Sequence, residues 1–342
     1  MSRYTDNQAA WIPEEKATVK VGPGPTPDPG ENDVVIEVAY AAVNPTDFKM
    51  QDTPYFPLPY PFIFGTDVTG KVVQLGSNVT RFKIGQRVTG HCDSLLTHKA
   101  TRAGYQRYTT VREILVCAIP DNIPLAQAAV LPLSVSTASS ALFKTLKLPF
   151  PTMHPKPTGK RILIWGGSSS VGASAIQLAV AAGYTVATTA GVQNHDLVRS
   201  LGAAYVVDHK DPNAIQEILK VLKQNDLVLD SISAPNTQVA CSEILGKIGG
   251  GKLACLLWPE KTKFDNVEIV FVNGLDPGMV DLDIGDAVWR KYMPEALAAG
   301  KFQPKPDAEI LEGGLEKVQE GIDILRKGVS GKKIVIELQK EA

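Results

Sequence analysis

RILIWGGSSSVGASAIQLAVAAG, residues 161–183, is the stretch on which the reading of the whole chain turns. An apolar run leads into paired glycines, serines follow, and small and apolar residues then recur at helical spacing. A strand that ends in glycines at the mouth of a helix gathers unpaired backbone N–H groups in one place, with the positive end of the helix dipole behind them. That arrangement suits an anion. In the G-x-G-x-x-G register the positions are Gly167, Ser169 and Gly172, so serine stands in for the middle glycine. The motif takes its weight from its context.

Downstream the context is regular. YTVATT, AYVVD, DLVLDS and KLACLLW read as strands, separated by the helical patterns DLVRSLG, PNAIQEILKVLK and TQVACSEILGKI, and VEIVFVNG reads as a sixth strand. Strands and helices in strict turn, with strands too continuously apolar to keep a wet face, predict an α/β doubly wound parallel sheet. Ser168, Ser170 and Val171 complete the turn expected to hold a pyrophosphate. An NAD-binding unit carries an acid near the end of its second strand, and ATTAGVQN has none. Thr189, Asn194, His209 and Lys210 are instead candidate donors to a 2′-phosphate, and the expected cofactor is NADPH.

Upstream, VVIEVAY, DVTGKVVQLG, KIGQRVTG and YQRYTTV are short, β-branched and punctuated by Gly and Pro, which predicts a β-rich domain. PGPTPDPG reads as a solvated turn, and AQAAVLPLSVSTASSALFKTL as one broken helix or two consecutive helices interrupted at Pro132. VNPTDFKM, residues 43–50, breaks an apolar run and is read either as a surface turn or as the floor of an active site. By themselves, Lys49 reads as a solvated lysine, Asp47 as a cap, and Thr137 as a hydroxyl bonded back to its own helix.

Composition narrows the class. A chain of 342 residues is long enough for two domains, and 35 basic against 36 acidic residues leave no stripe for nucleic acid or an acidic membrane. MSRYTDNQAAW lacks a signal-peptide core, and no apolar stretch is read as long enough to span a bilayer, so a soluble, cytoplasmic protein without a membrane partner is expected. Cys92, Cys117, Cys241 and Cys255 are scattered, which argues against structural zinc and against a disulfide framework. Adjacent His91 and Cys92 read as a strand end.

Taken together, GTDVTGKVVQLGSNVTRFKIGQRVTG, VLPLSVSTASSALF, GGSSSVG, RSLGAAYVVD and the closing EGGLEKVQEGIDILRKGVSGKKIVIEL resemble the medium-chain dehydrogenase/reductase superfamily over nearly the whole chain. Within it the sequence looks like the zinc-free quinone-oxidoreductase branch and the fungal trans-acting enoyl reductases. The resemblance implies a GroES-like catalytic domain, residues 1–125 and 290–342, around a Rossmann domain, residues 126–289, with the active site between them. It also implies Lys49 and Thr137 as catalytic donors. Contacts to the cofactor are implied for Pro45, Thr46, Gly167, Ser168, Ser169, Ser170, Val171, Thr189, Asn194, His209, Leu256, Val272 and Ser330, with Asn273 and Gly274 nearby.

In metal-dependent members a Cys and a His hold zinc. Here the corresponding places are the Asn44–Asp47 segment and Thr66, which supply neither ligand, and no metal is expected. The expected reaction is NADPH-dependent reduction of an activated C=C bond in an enoyl thioester, enone or quinone. The substrate is a small molecule or carrier-bound, with a polyketide synthase as partner, and the protein is a monomer or homodimer. An alcohol or ketone reductase and a non-catalytic nucleotide-binding protein are the alternatives. Tyr55, Phe56, Tyr60 and Phe62 are expected to line a substrate channel or to pack in the core. Met279 and Trp289 are expected in an apolar pocket or the core.

Overall fold

The structure, a computed structural model, describes residues 6–339; Met1–Thr5 of the MSRYTDNQAAW segment and Lys340–Ala342 lie outside the described residues. Two compact units are present, one formed by Met1–Leu133 with Asp307–Ala342 and the other by Ser134–Pro306.

In the second unit each predicted strand and helix forms. Arg161–Trp165, Thr185–Thr189, Ala203–Val207, Leu227–Asp230, Gly251–Cys255 and Val267–Phe271 build an all-parallel sheet. In chain order its strands stand 3-2-1-4-5-6. The direction of winding reverses beside the first strand, which is where sheets of this kind bind ligands. Leu163, Val228, Leu253 and Cys255 form the core with Ile244 and Leu245 of the helix Pro235–Lys247.

The first unit is β-rich. Asp33–Ala42 pairs with Asp67–Leu75 on one side, and on the other with Tyr108–Arg112 and the closing strand Lys332–Glu337. The last stretch of chain therefore returns to this unit, pairing Val335 with Ala42. A smaller sheet joins Lys20–Pro23, Gln8–Ile12 and Phe62–Ile63. PGPTPDPG is irregular from Gly24 to Gly30, as its turn chemistry requires.

Both unit boundaries fall later in the chain than the expected 125/126 and 289/290. At the first, the N–H of Leu133 donates 2.7 Å to Asp67 Oδ1, which ties the start of the helix Pro132–Ser139 to the β-rich unit. At the second, Tyr292 packs edge-on to Phe302 and Gln303 exchanges two hydrogen bonds with Gln177, so residues 290–306 belong with the Rossmann sheet.

Of the two readings offered for the Pro132 region, the second holds: it forms two helices, Leu125–Ala128 and Pro132–Ser139, the latter running into a π-helical turn Ser140–Thr145. The span Leu125–Thr145 does have the length and hydropathy to cross a bilayer; 89% of its apolar window is buried inside the protein, as for a core helix. VNPTDFKM is not a surface turn, because Pro45–Asp52 is an α-helix. Pro45 opens it, where a missing N–H costs nothing, and Asp47 reaches back to its start.

Candidate functional site

In the β-rich unit the site is built on the helix Pro45–Asp52. Asp47 Oδ2 accepts a 2.7 Å hydrogen bond from the N–H of Asn44 and another of 2.7 Å from the Tyr105 hydroxyl. Gly65 N–H donates to Oδ1 at 3.3 Å. Gly65 has φ +93, and a Cβ there would enter the Tyr105 ring. Asp47 thus caps and anchors the helix; burial pushes its carboxyl up to about 6 against those three hydrogen bonds.

One turn on, Lys49 is half-buried and makes no ion pair among the described residues. Burial lowers its pKa from the ordinary lysine value, which makes its ammonium a readier proton donor. Thr46 turns its hydroxyl inward, where it finds no protein partner. A buried hydroxyl left unsatisfied costs about 1–3 kcal/mol, so this donor suits a ligand. Pro45 is exposed beside it, and Ser330 is exposed in the turn before the closing strand.

Beneath the helix lies a buried polar cluster. Asn44 Nδ2 donates to Thr66 Oγ1 at 2.8 Å and to Asp67 Oδ2 at 2.9 Å, and Lys333 Nζ donates to Asn44 Oδ1. Asn44 and Thr66, at the places where metal-dependent relatives are expected to carry ligands, are thus bonded to each other with an ammonium beside them. His91 stands opposite Asp67 across the strands, with its Nδ1 buried and unpaired, and burial pushes it down to about 4. Cys92 contacts Thr109 at 3.8 Å, and burial raises its thiol. Among the described residues no three His, Cys, Asp or Glu side chains cluster as for a metal ion.

The aromatic loop divides. Phe62 is core, edge-on to Phe64, whereas Tyr55 is exposed and Phe56 stacks on His98.

In the Rossmann unit the turn after Trp165 forms as expected. Gly166 has φ +84, which favours glycine, and a Cβ at Gly172 would meet the Gly166 carbonyl. Ser169 caps the helix Ser170–Ala181, its Oγ accepting from Gly172 N–H at 3.0 Å. With that bond made, the N–H groups of Ser168, Ser170 and Val171 have no protein partner among the described residues. Three free donors over a helix N-terminus fit a pyrophosphate.

Thr189, expected as a donor to a 2′-phosphate, lies beneath the turn. It is wholly buried, and its Oγ1 accepts from Gly166 N–H at 2.9 Å while its carbonyl accepts from Gly167 N–H at 2.9 Å. It shapes the turn from below. Asn194 is half-buried and His209 exposed near the ends of the neighbouring strands. The turn has a brace that the sequence reading missed: Ser231 Oγ donates to the Trp165 carbonyl at 2.6 Å and lies 3.1 Å from Ser169 Oγ.

Leu256 is half-buried, its N–H donating to Ser233 Oγ at 2.7 Å, and buried Val272 donates its N–H to the Cys255 carbonyl at 2.8 Å. Gly274 brings its backbone so close to Thr137 that a Cβ would overlap the threonine Oγ1. That hydroxyl makes no hydrogen bond among the described residues; the back-bond into this helix comes from Ser139 to the Val135 carbonyl, at 2.7 Å. Lys144 then binds both Asp276 and Asp281, pinning the segment after Gly274. Trp289 is core, its Nε1 donating to Ser136 at 3.1 Å, while Met279 is half-buried.

Comparison with known proteins follows the same division. Residues 30–121 match the alcohol dehydrogenase GroES-like domain and residues 170–273 the zinc-binding dehydrogenase domain. The chain is 67% identical over 335 residues to the trans-enoyl reductase himH of Aspergillus japonicus, covering 98% of each chain. It is 34% identical to the trans-enoyl reductase tndF of Aspergillus flavipes, over 97% of this chain and 99% of that one. An alcohol dehydrogenase superfamily protein from Novosphingobium aromaticivorans shares the fold, with TM-score 0.79 at 22% identity, over 97% of this chain and 100% of that one.

Proposed function

The chain belongs to the medium-chain dehydrogenase/reductase superfamily, whose members are oxidoreductases using a nicotinamide cofactor, and from that premise we propose that it is an NADPH-dependent trans-acting enoyl reductase. One observation carries the reading: 67% identity, over 98% of this chain, to a protein named for that activity.

The bound cofactor supplies a hydride to the β-carbon of an α,β-unsaturated thioester. Everything else falls to the chain. The N–H groups of Ser168, Ser170 and Val171 hold the pyrophosphate, and the Thr46 hydroxyl, Pro45, Gly167, Ser169, Leu256, Val272 and Ser330 complete the cofactor's surroundings. Thr189 acts through the turn. As negative charge builds on the thioester oxygen, Lys49 and Thr137 donate hydrogen bonds to it. The lowered pKa of Lys49 suits it to pass a proton toward the α-carbon side of the enolate. No carboxylate stands in ATTAGVQN to repel a 2′-phosphate, and Asn194 at its end and His209 further on are donors, which supports NADPH.

A trans-acting reductase takes its substrate from another protein, and the partner in this reading is a polyketide synthase presenting an enoyl group on its carrier. The test is NADPH oxidation with carrier-bound and pantetheine enoyl thioesters, simple enones, quinones and ketones, alongside a separate measurement of NADPH binding. Turnover is expected with enoyl thioesters ahead of ketones. Preference for a ketone, or binding without turnover on any acceptor, overturns the assignment.

A further inference from the structure

Lys333 lies in the closing strand, yet its side chain is only 4% exposed and Asp67 beside it is fully buried. Its Nζ is 3.3 Å from Asp67 Oδ2 and donates to Asn44 Oδ1. A buried ion pair is a poor way to gain stability, because desolvating two charges offsets most of their attraction and apolar residues of similar size hold a core as well. The pair does something that apolar residues cannot. An ammonium only donates, so it turns the oxygen of the Asn44 amide toward itself and the nitrogen toward Thr66 and Asp67. Asn44 is the residue on which the helix Pro45–Asp52 starts, its N–H bonded to Asp47.

The far end of that helix is held by the same returning segment. Arg326 binds Asp52 at 2.9 and 3.0 Å, and Gln51 donates to Gln319 at 2.9 Å. Those contacts are partly exposed, where solvent screens them. The buried grip is at the start, next to Thr46.

We propose that Lys333 is a positioning residue for the reduction: by orienting the Asn44 amide it sets the first turn of the helix Pro45–Asp52, and with it the placement of Thr46 and Lys49. The kinetic part rests on the reductase reading above; the effect on the helix does not.

The test uses the full chain with Lys333→Met/Asp67→Asn, which neutralises both charges together, with Asn44→Ala, which leaves the ion pair in place, and with the two combined. Hydrogen exchange of the amides from Asp47 to Asp52 is expected to speed up about tenfold or more in each variant, with the rest of the β-rich unit within about twofold of the parent. With an enoyl thioester, kcat is expected to fall about tenfold or more while KM for NADPH moves less than about threefold, and the combination is no worse than the more severe single variant. Unchanged exchange in the helix, or losses that multiply on combination, overturns the proposal. If the paired variant fails to fold, Lys333→Arg, which keeps the charge but displaces the donor from Asn44, takes its place alone and combined with Asn44→Ala, by the same readouts. A parent that reduces no enoyl thioester removes the reductase reading, and the exchange comparison still judges Lys333.

Discussion

The hydroxyl of Tyr105 donates a 2.7 Å hydrogen bond to Oδ2 of Asp47, joining a buried phenol to the cap of the Lys49 helix across 58 residues of sequence. The carboxyl is pushed up to about 6 by burial, and His91, in the same unit, is pushed down to about 4 by burial. These two shifts act on stability in opposite senses.

Asp47 binds its proton more tightly folded than unfolded, so the stability it contributes is present at low pH and lost as pH rises from its ordinary 3.8 through about 6. His91 binds its proton less tightly folded, so its contribution is present above its ordinary 6.5 and lost as pH falls through about 4. Each amounts to about 3 kcal/mol, and between pH 4 and 6 they nearly cancel. Asp47→Asn should therefore gain about 3 kcal/mol of unfolding free energy from pH 4 to 6.5, and His91→Gln should lose about as much from pH 4 to 6, relative to the parent. Urea unfolding at several pH values checks this; the parent's pH dependence in both variants contradicts it.

Lys49→Ala is expected to reduce kcat with an enoyl thioester by about tenfold to a thousandfold while NADPH affinity changes less than about threefold. Steady-state kinetics and a separate binding titration separate the two effects. Loss of affinity without loss of kcat assigns Lys49 to the cofactor instead.

Gly274→Ala has to push the Thr137 hydroxyl aside, since the new methyl overlaps it. It should lower kcat to about the level of Thr137→Ala, and the double variant should be no slower than either, within about twofold. Independent, multiplying losses show that the two residues act separately.

Gly191→Asp tests the cofactor. Gly191 has φ −62, open to any residue, and the atoms nearest a Cβ there belong to the flexible side chain of Gln193. The new carboxylate at the end of the second Rossmann strand should weaken NADPH binding about tenfold or more and NADH binding less than about threefold. Equal weakening of both by titration removes the 2′-phosphate from this position.

Much of the Rossmann unit was legible because its signals are local. Apolar strands, glycines at Gly166, Gly167 and Gly172, and amphipathic helices each follow from neighbours in the chain. VNPTDFKM was not, because a helix of eight residues with a proline at its first position carries no usable periodicity. Thr189 is a related case: a threonine ending a strand looks the same in sequence whether it faces a phosphate or the turn below.

The sequence by itself determined the two kinds of unit and the glycine turn at the head of the first Rossmann helix, and its family resemblance marked Lys49 and Thr137 as candidates. Only the tertiary structure decided what orients them. Asn44 meets Lys333 across 289 residues, and Thr137 meets Gly274, because strand pairing and packing set those distances. The pairing of Val335 with Ala42 brings the closing strand alongside the segment that enters the helix, and burial then decides which of its adjacent lysines, Lys332 or Lys333, faces water and which faces Asp67.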